Sequence, residues 1–487
     1  MDFTHGVEHT PATIKASSQA VTLADLKKHV VIDYVRLYWV DFTNTRRCRV
    51  IPKSTFLELM EKSNRPGVNI AKVALGLVDL VIAEGFQPIG EYLYVPDLSS
   101  LRILYGVGTS PIYGILGKFE EKQPTSENKG VEVELCPRTT LARIIRTLNS
   151  EIQTTCSAEF LVGFESEFIL LASTDPIIVP LHVHSWSSTS GMLNGSKGAI
   201  IMEEIADSLQ DSGIKVEVFH PEAAPGQYEM VTGPLPPMEA CDALIYTREI
   251  ITNVAAKHGV HATFAPRPFI SSPGTSTHAH VSVHDTANRI YCKKVPNELS
   301  LLEKAFLAGV LDHLPAIAAI TLPTSASYQR AVDGTWSGGT YVCWGTENRE
   351  APIRLTNVAS PNSRRYECRF IDSTANPHLA LAAMLGAALT RMKMINEDSK
   401  YVHLEIKDAG SKQAAIMTEE ERIAHGITRR IPSSTEEARS NLRNDPQLCE
   451  VLGMEFVNAF LSVNKTLDSV LTQDSEHEQR MRVIKFY

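Results

Sequence analysis

Hydrophobic and polar positions alternate with a period of two near the start of the chain. Val35, Leu37 and Trp39 interleave with Arg36, Tyr38 and Val40, a polar turn follows at Asn44-Thr45, and the strand pattern resumes from Cys48 to Ile51. This predicts a pair of strands within residues 30–52. Beyond residue 135 the pattern switches between short apolar strands, over 160–170 and 216–219, and helical stretches over 141–148, 200–209, 241–258, 301–311 and 380–392. From about 415 the chain is charged and helical in pattern. Residues 1–22 lack periodicity and are expected to form a flexible tail. Residues 120–130 are charged and turn-forming, which predicts a surface loop. The reading is α+β: a small N-terminal sheet domain over 23–118 and a large domain over 119–487.

Composition narrows the function classes. A chain of 487 residues with 43% hydrophobic and 21% charged residues is an ordinary globular protein, long enough for two cores. A net charge of -9 argues against a general nucleic-acid binder, which needs a basic field to neutralise phosphates. The 8 cysteines form no C-x-x-C pair, so neither a zinc ribbon nor a dithiol redox motif is expected. No apolar run looks long enough to span a membrane, and the start has no signal-peptide pattern, so a cytoplasmic protein is expected.

The candidate chemistry lies on strands that present carboxylates, histidines or arginines on one face. In FESEF, Glu165 and Glu167 share a face; in RRYECRF, Arg365, Glu367 and Arg369 do; in STHAHVSVH, His278, His280 and Ser282 do. Glu222 and Glu229 are joined by a Pro-Gly turn. Any one such pattern fits a surface strand. Glu165 and Glu167 differ, because the apolar stretch VGFESEFILL reads as a central strand. Two carboxylates side by side in a sheet interior call for a cation. Hard oxygen donors suit Mg²⁺ or Mn²⁺, and Mn²⁺ tolerates a histidine. A bound nucleotide would sit without a P-loop, since no such motif is present.

The segments GFESEF, APGQYEM, Gly274 to Ser282, ENREAPIRL and RRYECRFIDSTANPHLALAA occur in the order and spacing of type I glutamine synthetases, and the chain resembles that family from about residue 25 onward. The resemblance implies a β-grasp-like N-terminal domain and a catalytic domain built on a curved antiparallel sheet with flanking helices. It implies one metal ion held by Glu167, Glu222 and Glu229 and another by Glu165, His278 and Glu367. Arg330 and Arg369 would clamp glutamate, with Gly274 receiving its amino group. Arg349 would stabilise the transferring phosphoryl group. Arg354 and Arg365 would lie near the ATP phosphates, with His280 and Ser282 on the adenosine side. The implied reaction joins glutamate to an amine through a γ-glutamyl phosphate. The implied assembly is a homo-oligomer of stacked rings, a decamer or dodecamer. The Asn-Leu-Tyr stretch adenylylated in some bacterial members is missing.

Three departures from the family pattern fall in the amine pocket. Trp336 stands where the flap loop carries a Glu, Asn44 stands where a neighbouring subunit lends an Asp, and Trp186 aligns with a pocket Tyr. Pro273 replaces an Asn beside glutamate. Loss of two negative charges and gain of aromatic surface disfavours ammonium and favours a larger amine, with Glu222 left as anionic contact and base. The stretch TWSGG to ENREAP resembles a glutamine-synthetase-like branch. The alternatives are an ordinary glutamine synthetase using ammonia and a non-catalytic structural or signalling assembly.

Overall fold

A computed structural model of the chain describes residues 5–17, 21–28, 32–124, 130–152, 158–286, 292–395, 402–472 and 475–487. The two-strand expectation near the start is met by Tyr34–Val40 paired antiparallel with Arg46–Pro52, and the turn between them contains Asn44. Tyr34–Val40 also pairs, in parallel, with Ile112–Glu120. These strands belong to a six-stranded sheet with Glu91–Pro96, Val68–Ala71 and Arg102–Leu104. Part of the loop expected over 120–130, residues 125–129, lies outside the described residues.

The second sheet has nine strands. Its main path runs Val216–Pro221, Gln227–Leu235, Ala158–Ser173, Thr277–Asp285, Arg365–Cys368, Ile353–Thr356 and Trp344–Thr346. Every pairing is antiparallel except the last, which is parallel. The run that contains both Glu165 and Glu167 is central, as its apolar flanks predict. Phe164, Ser166 and Phe168 point into the core while Glu165 and Glu167 face the other way.

Helices Pro137–Ile152, Pro237–Lys257, Leu301–Thr321 and Pro377–Met392 back the sheet, each longer than its sequence pattern outlined. Leu301–Thr321 corrects one expectation. Its length and apolarity would suffice to cross a membrane, yet it is a core helix, mostly buried and packed against Pro377–Met392. The two approach closely where Gly309 faces the backbone of Ala387.

Within the expected tail, Pro11–Ser17 is a helix that packs on Ala158–Ser173 and Gln227–Leu235; just beyond it, Leu23–Lys28 is a second short helix. Short apolar anchors, Pro11 and Leu26, are enough to dock segments too short to show a periodic pattern.

A Cβ at position 309 would lie 2.3 Å from the carbonyl oxygen of Ala387, which is backbone and cannot rotate away. Gly309→Val should therefore push the two helices apart and cost about 1–3 kcal/mol of stability. Urea denaturation with an unchanged midpoint would contradict this packing.

Candidate active site

The site is a diagonal row across the nine-stranded sheet, set by strand register. His220 lies opposite Glu229, and Glu229 opposite Glu167. One step along, Glu165 lies opposite His278. One step further, His280 lies opposite Glu367, and Glu367 opposite Arg354. Because side chains alternate across a strand, all of these project to one face.

Two groups of three donors form within the row. Glu165, His280 and Glu367 place ligand atoms within 4.8 Å of one another, and so do His220, Glu222 and Glu229. His280 Nε2 is 2.7 Å and His278 Nδ1 3.0 Å from the Glu165 carboxylate, and His278 Nδ1 is 3.5 Å from Glu367. Glu167 is buried and accepts from Gln227 Nε2 (3.0 Å), the Ser276 backbone N–H (2.9 Å) and Ser276 Oγ (2.7 Å). Two sets of mainly oxygen donors on one face fit a pair of hard divalent cations, and the histidines extend the fit to Mn²⁺.

Burial and neighbours divide the proton affinities. Burial pushes the carboxyl of Glu229 up to about 8, and it raises Glu222 and Glu167 as well. Burial also acts upward on Glu165 and Glu367, but cations win there. His280 and His278 hold Glu165 well below the usual range, and Arg369 beside Glu367 holds it at about 2. His220 is raised to about 9, first by its bond to Glu229.

The row forms one wall of a cavity of about 410 Å³. Arg330, Arg349, Arg369, Gly274 and Pro273 border it, together with Trp186 and Trp336. Arg330 is buried and donates to the carbonyls of Arg369 (3.3 Å) and Ile371 (3.4 Å). Gly274 must be glycine, since a Cβ there would meet Arg330 Cγ at 2.2 Å. Trp186 and Trp336 are each 62% exposed, unusual for indoles beside so many carboxylates. Trp186 Nε1 donates to Glu222 Oε1 at 3.0 Å. Trp336 has φ 56, a left-handed conformation uncommon for a bulky residue. It is held there by Glu350, which accepts from the N–H groups of Trp336 (2.9 Å) and Gly334 (3.1 Å), while Arg369 donates to the Trp336 carbonyl (2.5 Å).

The structure places the other predicted positions in and around the row. His280, implied on the adenosine side, is the strand partner of Glu367 and sits in the group with Glu165 and Glu367. Glu167 is bonded to Gln227 and Ser276, faces Glu229 across the ladder and lines the same cavity as Glu222 and Glu229, and His220 joins Glu222 and Glu229 in a three-donor group. Ser282 lies outside the cavity, bonded to His284 (2.8 Å). Arg365 and Arg354 turn toward the row: Arg365 donates to His280 Nδ1 (3.0 Å) and Arg354 to Glu367 (2.9 Å). Asn44 is buried within its own chain, where its side chain donates to the Ser373 carbonyl (2.7 Å). Its φ of 63 explains the residue type, since Asn tolerates the left-handed turn. His220, Gln227 and Glu350 escaped the sequence reading. His220 was findable, because His-x-Glu at 220 and 222 repeats the spacing used for the other strands. Gln227 and Glu350 carry no pattern of their own.

The family described as glutamine synthetase, catalytic domain, matches residues 134–482. The chain belongs to the glutamine synthetase family and carries its catalytic domain. It is 35% identical over 467 residues to Protein fluG of Emericella nidulans, covering 94% of this chain and 49% of that protein, so it spans about half the length of that relative. It is 27% identical to Type-1 glutamine synthetase 1 of Dictyostelium discoideum, covering 95% of this chain and 91% of that one. Among solved structures, a GmaS–ADP complex superposes with a TM-score of 0.74 at 21% identity over 94% of this chain and 98% of that chain. A structure described as a novel glutamine synthase homolog gives 0.73 at 23%, over 94% and 99%. These two likenesses concern the fold.

Glu229 and His220 both bind protons more tightly in the folded chain than their ordinary values of 4.5 and 6.5. Their stabilisation is full below those values and is lost as pH rises through about 8 and 9. Protein stripped of divalent ions by a chelator should lose melting temperature between pH 6.5 and 9, and Glu229→Gln should flatten that slope. An equally steep slope in the variant would exclude this pair as its source.

Proposed function

We propose that the chain is an ATP-dependent ligase that joins an amine larger than ammonia to the γ-carboxyl of glutamate, through a γ-glutamyl phosphate. The observation that carries the reading is the diagonal row facing a cavity that is walled by guanidinium groups and rimmed by two exposed indoles. Glu165, Glu367, His278 and His280 would hold one divalent ion, Mg²⁺ or Mn²⁺, and Glu222, Glu229, His220 and Glu167 the other. When bound, such ions neutralise phosphate and carboxylate oxygens.

The chain's own residues supply the rest. Arg330 and Arg369 sit on the cavity wall where a glutamate carboxylate can be clamped, and the Gly274 carbonyl can accept from its ammonium. Arg349 is exposed into the cavity and suits the spreading charge of a transferring phosphoryl group. Glu222 can take a proton from the attacking amine, and its orientation is set by the Trp186 N–H. Trp336, presented by a flap that Glu350 anchors, offers an aromatic face to the body of that amine. A cation over an indole gains about 0.5–2 kcal/mol, and apolar burial adds about 25 cal/mol per Å². That GmaS has been solved with ADP agrees with a nucleotide-using relative. The reading includes a ring-forming homo-oligomer in the cytoplasm.

An amine panel assayed with ATP, Mg²⁺ and glutamate, read by mass spectrometry of the amide, tests this. The wild type should consume a larger amine in preference to ammonia. Trp336→Glu should shift that preference toward ammonia about tenfold, roughly 1.4 kcal/mol. Fast glutamine formation by wild type, with no larger amine consumed, would show an ordinary glutamine synthetase. Arg349→Ala should lower kcat about a hundredfold, in line with removal of one preorganised charge-stabilising donor; an unchanged kcat would remove Arg349 from the phosphoryl step.

A further inference from the structure

The segment from His5 to Ser17 is fastened to the catalytic sheet by contacts that only a specific docking would make. The His5 backbone N–H donates to Ser360 Oγ at 2.8 Å, and Ser363 Oγ donates to the His5 carbonyl at 2.7 Å. Gly6 has φ +86, and a Cβ there would lie 2.9 Å from Ser363 Oγ and 3.2 Å from Asn357 Nδ2. His9, Thr13 and Ile14 line a cavity of about 480 Å³ with Lys215, Thr232 and Gly233, at the end of the strand that begins with Gln227. Lys15 Nζ lies 2.9 Å from Glu159, which shares a sheet face with Glu165. That pair is exposed and worth less than about 1 kcal/mol, so the segment is held by the backbone contacts of His5 and by the buried Pro11 instead.

Those contacts continue to the metal-ligand row. Ser363, which grips His5, also accepts from Arg365 Nη1 through its carbonyl at 3.2 Å. Arg365 Nε donates to His280 Nδ1 at 3.0 Å, and His280 Nε2 is 2.7 Å from Glu165. A continuous chain therefore runs from the amino-terminal segment to the central carboxylate. We propose that residues His5–Ser17 form a strap that positions Arg365 and completes the nucleotide end of the active site. The inference rests on the ligase reading, which places the ATP phosphates near Arg365 and Arg354. Arg365 is oriented by His280 and the Ser363 carbonyl, so loosening Ser363 weakens one of these supports. The strap is therefore a positioning element: it touches neither glutamate nor amine.

Two changes release the strap without altering a site residue. Gly6→Val forces a side chain into a left-handed position against Ser363, and a shortened chain lacking residues 1–17 removes the strap outright. Calorimetric titration with ADP and Mg²⁺ needs no knowledge of the amine. Both variants should bind ADP at least about fivefold more weakly, while melting within a few degrees of wild type. In turnover, KM for ATP should rise with kcat and KM for glutamate within about twofold. ADP affinity that is unchanged or tighter in both variants overturns the proposal, and so does an equal loss in every parameter with a collapsed melting temperature, which marks a merely structural role. Failure of the wild type itself to bind ADP would instead sink the ligase reading beneath it.

Discussion

The rest of the site depends on one electrostatic constraint: Glu229 faces Glu167 directly across an antiparallel ladder, with Glu165 two residues along the same strand face. Like charges opposed on a sheet repel, and here they are largely buried, where the penalty grows. The fold answers in two ways. On one side it supplies protein cations, with His278, His280, Arg354 and Arg369 gathered on Glu165 and Glu367. On the other side burial outweighs the nearby His220 and the neutral donors, and the carboxyls of Glu229, Glu222 and Glu167 are pushed upward. A pair of divalent ions would relieve both sides, and the register of six strands holds the row in place.

Much of this was legible in the sequence because strand periodicity carries it. The alternation in FESEF, RRYECRF and STHAHVSVH put the correct residues on one face, and apolar flanks identified the central strand. Periodicity does not report register, however. Which histidine sits with which carboxylate depends on how strands pair: His278 meets Glu165 and Glu367 as expected, and His280 joins the same group, which alternation alone could not show. The helix Pro11–Ser17 inside the expected tail was not legible, because a single short helix docked by Pro11, next to a His5 bonded to residues more than 300 positions away, leaves no local pattern.

The indole rim of the pocket is built differently from the carboxylate row. Trp186 and Trp336 sit on loops, are largely exposed, and are steered by carboxylates, Glu222 and Glu350. Left-handed backbone at Trp336 costs roughly 1–3 kcal/mol and persists because Glu350 and Arg369 hold both sides of the peptide. Under the proposed ligase reading, the strand-borne row would serve the phosphoryl step and the loop-borne indoles the choice of amine.

The account stands on the claim that the row is a two-cation site. Its most direct measurement is an electron paramagnetic resonance titration with Mn²⁺, counting ions bound per chain in wild type, Glu367→Gln and Glu229→Gln. Two ions in wild type, with one lost in each variant and the remaining one different in spectrum, is the predicted result. Wild-type protein that binds no Mn²⁺, or a count that both variants leave unchanged, would contradict it.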